Sequence, residues 1–179
     1  MTTTTDGTAP LRRLALADAP ALARLARGNR VFLAPTSPVR PDDWFTDEGQ
    51  ERAVRTSLAA AEDGTAYPTV LVEDEEVVGI LNLNSIIRGA FQSASVGYWV
   101  AQECNGRGIA TRAVAAAKRI AADELGLHRL EASTLLDNTA SQRVLAKNGF
   151  VQFGVAPDYL RIAGRWQTHA LFQVTFAAA

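Results

Sequence analysis

The chain has 179 residues, with 18 Lys and Arg against 19 Asp and Glu and a formal net charge of -1. One domain accommodates this length, and a domain of this size buries roughly 70% of its unfolded surface, so it needs no disulfide or metal staple. The balanced charge excludes a general nucleic-acid or anionic-membrane binder, whose attraction requires a clear cationic excess, and makes any anion site a local one.

The single cysteine, Cys104, cannot form an internal disulfide, and two distant histidines, His128 and His169, leave no recognisable zinc site. No metal is expected, and a reducing cytoplasm is the natural compartment. Residues 1–10 are polar and lack an apolar core, so they read as a flexible tail rather than a signal peptide or membrane span. The remainder, 11–179, reads as one domain.

In chain order, residues 11–16 read as a short first strand. Asp18 then caps a helix with Pro20 in its first turn and Ala21, Leu22, Leu25 and Ala26 on one face, closed by Gly28 and Asn29. Residues 31–44 contain Pro35, Pro38 and Pro41 and read as an irregular but apolar loop. A second helix is expected from Asp47 to about Glu62, with Val54, Leu58 and Ala61 as its buried stripe. Residues 69–72 and 77–83, joined by an acidic turn at Asp74, Glu75 and Glu76, read as a hairpin, and 93–100 as a further strand. A long amphipathic helix is expected over about 108–125, a strand over 129–135 and a fourth helix over 139–147. Two last strands follow, meeting near Ala163 and Gly164. The order β-α-α-β-β-β-α-β-α-β-β predicts an α/β domain with a mixed sheet.

Asn105-Gly106-Arg107-Gly108-Ile109-Ala110-Thr111 lies between a predicted strand and the long helix. There the first N–H groups of the helix lack partners and the macrodipole adds about half a positive charge, which together stabilise an anion. Arg107 and Arg112 add charge. A nucleotide P-loop would need a Lys that is missing, and a dinucleotide fingerprint a third glycine where Thr111 stands. A glycine-rich turn that merely starts a helix is the alternative.

This loop, with Asn105 in the place of the usual Gln or Arg and Gly108 and Ala110 in the next two, resembles the acetyl-coenzyme A motif of the GNAT superfamily of N-acetyltransferases. The resemblance extends through Asp137-Asn138-Thr139-Ala140-Ser141 and Lys147-Asn148-Gly149-Phe150, residues typical of the RimJ/RimL type, the ribosomal-protein-alanine N-acetyltransferases. Asn29-Arg30-Val31-Phe32-Leu33-Ala34-Pro35 and the stretch from Asp158 to Trp166 point to the RimJ side. Asn105 and Thr168, the latter where Asp is expected before His169, depart from the pattern.

The resemblance implies a GNAT fold, with a mixed, mostly antiparallel sheet of about seven strands and about four helices. It implies direct transfer of acetyl from acetyl-coenzyme A to a primary amine, without metal. The acceptor would be the α-amino group of a ribosomal protein or, alternatively, a small amine; a noncatalytic acetyl-coenzyme A module is the remaining option. Positioning, a neutral amine and help for the departing sulfur are what the enzyme must provide.

The implied cofactor contacts are the 105–111 loop, the backbone of Gly97, Tyr98, Trp99 and Val100, and Asn138, Arg143 and Lys147. Asn138 is equally well explained as a helix N-cap, and Tyr98 and Trp99 as packing residues. The resemblance brings the Ser141 hydroxyl near the sulfur. Glu103 and Glu131 are candidate bases and Tyr159 a candidate acid. An acyl-cysteine route through Cys104 lacks a neighbouring base. Phe32, Leu33, Arg40 and Trp44, with Arg88 and Tyr159, are the candidate walls of an acceptor pocket. Association into a homodimer is left open.

Overall fold

The computed structural model describes residues 11–176; the tail expected at 1–10 lies outside them. Seven strands, β1 (Leu11–Arg13), β2 (Tyr67–Glu73), β3 (Glu76–Ile87), β4 (Ser93–Val100), β5 (Arg129–Leu135), β6 (Val151–Ile162) and β7 (Arg165–Thr175), form one sheet in the order β1-β2-β3-β4-β5-β7-β6. Every pairing is antiparallel except β4 with β5. The five α-helices are α1 (Ala19–Gly28), α2 (Arg30–Leu33), α3 (Asp47–Glu62), α4 (Ile109–Arg119) and α5 (Thr139–Lys147).

The hairpin turns form at an acidic pair and at an alanine-glycine pair. Asp74 and Glu75, at φ 50° and 68°, close β2 onto β3, and Ala163 with Gly164, at 50° and 82°, closes β6 onto β7. Both are two-residue connections with left-handed residues, the geometry that suits the twist of paired strands.

Two elements differ from expectation. The first strand stops at Arg13 because Asp18 turns the chain: its carboxylate accepts from Ala15 N–H at 2.8 Å and pairs with Arg12 at 2.7 Å, instead of capping α1 with a side-chain bond as expected. The proline-bearing segment is also not a plain loop, which raises the helix count to five. It holds the single turn α2 and two 3-10 turns, Ala34–Thr36 and Asp42–Phe45. Pro35 sits in the first turn of one 3-10 helix and Pro41 just before the other, positions where a missing N–H costs nothing. Buried Asn29, just before this segment, fastens the end of α1 to the turn after β4, donating to Leu25 C=O at 3.0 Å and accepting from Gln102 N–H at 2.8 Å. The long helix runs as expected but ends in a wide π turn, Ile120–Glu124.

The sheet carries helices on both faces. The larger core lies on the α4 and α5 side, where Leu81, Val96, Val114, Leu130 and Leu145 are buried together. Full burial of each such leucine is worth about 1.5–3 kcal/mol. On the opposite face α1 and α3 meet the sheet through a smaller cluster, Ala19, Leu22, Val54 and Val70. That thinner layer leaves room for a cavity. No described helix is long and apolar enough to cross a membrane.

Candidate active site

Strands β4 and β5 pair only at their beginnings, Ser93 with Arg129, Ala94 with Leu130 and Ser95 with Glu131. Beyond that, β4 continues along β3 as far as Val100 opposite Gly79, while β5 continues along β7 as far as Leu135 opposite His169. Residues 96–100 and 132–135 therefore border an open wedge in the middle of the sheet. Backbone groups on its β4 side have no strand partner, although a buried main chain requires one. An extended, amide-bearing ligand satisfies that need.

At the mouth of the wedge, Gly106 and Gly108 adopt φ 81° and 75°, and Gly108 is the N-cap of α4. The first helical bond there runs from Arg112 N–H to Gly108 C=O at 3.0 Å, leaving the N–H groups of Ile109, Ala110 and Thr111 as the free donors of the helix start. A glycine cap has no side-chain oxygen to occupy them. Arg107 and Arg112 flank the loop, both facing the Glu73 carboxylate at 3.2 and 3.6 Å. Orphan donors, a dipole end and two guanidinium groups beside an unpaired strand edge fit the pyrophosphate and pantetheine arm of coenzyme A. Asn105 is exposed at the rim of this loop.

Alternation along β4 sends neighbouring residues to opposite faces. The Tyr98 ring lies on the α5 side, its Oη 2.9 Å from Ser141 Oγ. Ser141 is in the first turn of α5, where its N–H donates to Asn138 Oδ1 at 3.1 Å, so Asn138 is the N-cap of that helix. Burial raises the Tyr98 phenol above its ordinary pKa, with the Ser141 hydrogen bond pulling the other way, and the group is a neutral O–H at physiological pH.

Trp99 faces the other way and borders a cavity of about 620 Å³ between the sheet, α3 and the 30–45 segment. Leu33, Arg40 and Trp44 line it, as does Asn82 of β3. The Trp44 and Phe45 rings meet edge to face at 5.1 Å, Arg40 lies 5.0 Å over Trp44, and buried Gln50 donates to Trp44 C=O at 2.8 Å. Phe32, Arg88 and Tyr159 lie outside this lining; the Arg88 guanidinium reaches back to the Leu125 carbonyl. Among the described residues, the charged side chains lining the cavity are Arg30 and Arg40, both cationic.

The two candidate bases are elsewhere. Glu103 sits on an exposed 3-10 turn beside the phosphate loop, and Glu131 pairs with Arg129 at the closed end of the wedge. Tyr159 lies in a bulge of β6 with its ring 5.7 Å from His169, which is buried with Nδ1 2.9 Å from Gln167 C=O. Burial keeps the Cys104 thiol above its ordinary pKa, with Arg107 opposing, so the nucleophilic thiolate is disfavoured. Arg143 and Lys147 stand exposed on α5. Asn148 has a structural task that the sequence did not reveal: its amide donates to Thr111 C=O at 3.2 Å and Val144 C=O at 2.9 Å, fastening α5 to α4. The Tyr98–Ser141 pair was likewise missed, because the residues are 43 positions apart.

Comparison with known proteins agrees with this geometry. Residues 10–151 match the acetyltransferase (GNAT) domain family. The chain is 36% identical over 166 residues to "Probable N-acetyltransferase YjcK" of Bacillus subtilis, covering 92% of both. It is 32% identical over 160 residues to the ribosomal protein uS5-alanine N-acetyltransferase of Escherichia coli, covering 88% of this chain and 82% of the relative. The structure of Mycobacterium smegmatis RimJ in complex with CoA-disulfide superposes with a TM-score of 0.89 at 34% identity, covering 92% of this chain and 80% of that one. With the split sheet, the glycine-capped helix start and these relatives in agreement, the chain belongs to the GNAT acetyltransferase family and is an acetyl-CoA-dependent N-acetyltransferase.

Proposed function

We propose that the enzyme acetylates the N-terminal α-amino group of a protein, with an alanine-starting ribosomal protein as the leading acceptor. The observation that carries this is the charge of the acceptor-side cavity: its lining has, among the described residues, no carboxylate and two arginines, of which Arg30 is paired with Asp42 at 2.5 Å while Arg40 lies over the Trp44 ring. Nearby positive charge disfavours an ammonium ion and so favours the neutral, nucleophilic amine. An α-amino group, with pKa about 7.7–8.0 against about 10.4 for lysine, is easier to present neutral by about 3.4 kcal/mol, so water can carry off its proton without a dedicated strong base. The uS5-alanine acetyltransferase among the relatives supports the same acceptor class.

In this reading residues 11–179 act as one domain in the cytoplasm. Acetyl-CoA supplies the thioester. The free N–H groups of Ile109, Ala110 and Thr111, with Arg107 and Arg112, hold its phosphates, and the open edge of β4 aligns its amide arm. Backbone N–H groups near Val100 polarise the acetyl carbonyl, the amine approaches from the Trp99 side, and Ser141 on the Tyr98 side donates a hydrogen bond to the departing sulfur. The strand thus separates acceptor from leaving group, and positioning supplies most of the rate.

A small amine is the second reading, favoured by a cavity volume within the range of small-molecule pockets, about 300–1,000 Å³. Thiol release from acetyl-CoA, measured with Ala-, Ser- and Met-starting peptides beside small amines, decides between them. Turnover of Ala-starting peptides that vanishes when their N-terminus is blocked is expected. Turnover confined to small amines overturns the proposal.

A further inference from the structure

Ser141 is held from two directions. Asn138 Oδ1 takes its backbone N–H at 3.1 Å, and the Tyr98 phenol meets its side-chain oxygen at 2.9 Å. The tyrosine belongs to the part of β4 that borders the wedge, and its ring packs against the main core, so the phenol is a rigid arm reaching from the open strand to the start of α5. A serine hydroxyl has one proton and two acceptor sites and rotates to suit its surroundings. Left alone in a first helical turn, it turns toward local backbone carbonyls. A donor lodged on its oxygen removes that freedom.

We infer that Tyr98 is a positioning residue for Ser141: its phenolic O–H donates to Ser141 Oγ and commits the single serine proton to the departing sulfur. This deepens the proposed function and rests on Ser141 facing the leaving group. The phenol is the stronger acid of the two hydroxyls and hence the donor. Linked hydroxyls also polarise one another, so Ser141 becomes a better donor than an isolated serine. When the carbon–sulfur bond breaks, its electron pair stays on sulfur, and the thiolate accepts the Ser141 hydrogen bond. The proton lost by the amine leaves through water, and water protonates the thiolate as coenzyme A departs. Neither hydroxyl gives up its proton, so no base is needed beside Tyr98.

The test is a double-mutant cycle on the full chain with acetyl-CoA and whichever acceptor is turned over. Ser141→Ala loses a bond to a charged atom and lowers kcat by about ten- to a hundredfold, whereas Tyr98→Phe loses a neutral hydrogen bond and lowers it by about three- to tenfold. Acetyl-CoA affinity, measured by calorimetry, and the melting temperature stay close to wild type. The double variant is no slower than Ser141→Ala alone. Multiplying losses, or an unchanged kcat in Tyr98→Phe while Ser141→Ala is slow, overturns the role of Tyr98 and leaves that of Ser141 standing. Wild-type turnover in Ser141→Ala removes Ser141 from the proposed mechanism, and the inference with it.

Difluorotyrosine placed at position 98 provides a readout that does not depend on deleting the group. Its phenol ionises at lower pH, and a phenolate accepts rather than donates, reversing the direction of the Ser141 proton. A new alkaline fall in kcat, absent from the wild-type profile, is expected. An unchanged profile contradicts the inference even if Tyr98→Phe proves unstable.

Discussion

Arg107, inside the glycine-rich loop before α4, points its Nη1 at Glu73 Oε2 from 3.2 Å, so the end of β2 holds a cation of the proposed phosphate cradle. The same carboxylate faces Arg112 at 3.6 Å. One negative charge thus partly offsets two positive ones beside an anion site. Glu73→Gln removes that offset, and because exposed pairs of this kind are worth about 0–1 kcal/mol, the acetyl-CoA KM should fall by up to about fivefold. The fall should be larger at low ionic strength than at high. A KM that rises instead assigns Glu73 to orienting the arginines.

Gly108 caps α4 at φ 75°, and a Cβ there would lie 3.4 Å from Arg112 Nη1. A β-branched residue in this left-handed position is strained by about 1–2 kcal/mol and shifts the free N–H groups that follow. Gly108→Val is therefore expected to raise the acetyl-CoA KM by about tenfold or more, with acceptor KM little changed. Steady-state kinetics on a variant whose melting curve stays cooperative gives the answer, and an unaltered KM argues against a phosphate cradle at this helix start.

Trp44 and Trp99 border the proposed acceptor cavity from opposite sides, one on the 3-10 turn and one on the sheet. The Trp44 side chain takes no part in the wedge, and Gln50 bonds its backbone carbonyl rather than its ring. Trp44→Ala should raise the acceptor KM by about tenfold or more while leaving the acetyl-CoA KM within about twofold, since an aromatic wall contributes contact area on one side only. Parallel rises in both constants would show that the segment shapes the whole site.

Asp18 tests the fold rather than the chemistry. Burial pushes its carboxyl pKa up, but the Arg12 hydrogen bond, the Ala15 N–H and the Arg12 charge together bring it below the ordinary value. A depressed folded-state pKa contributes stability that is present above the unfolded pKa and is lost as pH falls through the folded one. The melting temperature should therefore begin to drop below about pH 4. Asp18→Asn should lose about 1–3 kcal/mol at neutral pH and show a shallower acid limb. Equal acid limbs in the two proteins would refute the assignment.

Local grammar carried most of the elements. Helices α1, α3 and α4 follow apolar residues at helical spacing, and the left-handed turns at Asp74–Glu75 and Ala163–Gly164 fall where hairpins were expected. The Asn138 side chain caps α5 as its residue type suggested, and the glycines of the phosphate loop take the positive φ that only glycine adopts without strain. Prolines mislead in one place: they argue against helix across the 31–44 segment, yet Pro35 in a first turn and Pro41 at an N-cap start 3-10 turns.

By itself, then, the sequence determined the order of the strands and of the four longer helices, the glycine-capped start of α4 and, through its motifs, the family. Tertiary structure alone decided that β4 parts from β5 after Ser95, that Trp99 faces the cavity under α3 while Tyr98 faces α5, and that the Tyr98 phenol meets Ser141. The reason is range. Caps, turns and amphipathic stripes are set by residues within a few positions of one another. The wedge instead depends on β5 pairing with β7 along its whole length but with β4 for only three residues, a register set by packing across the whole chain.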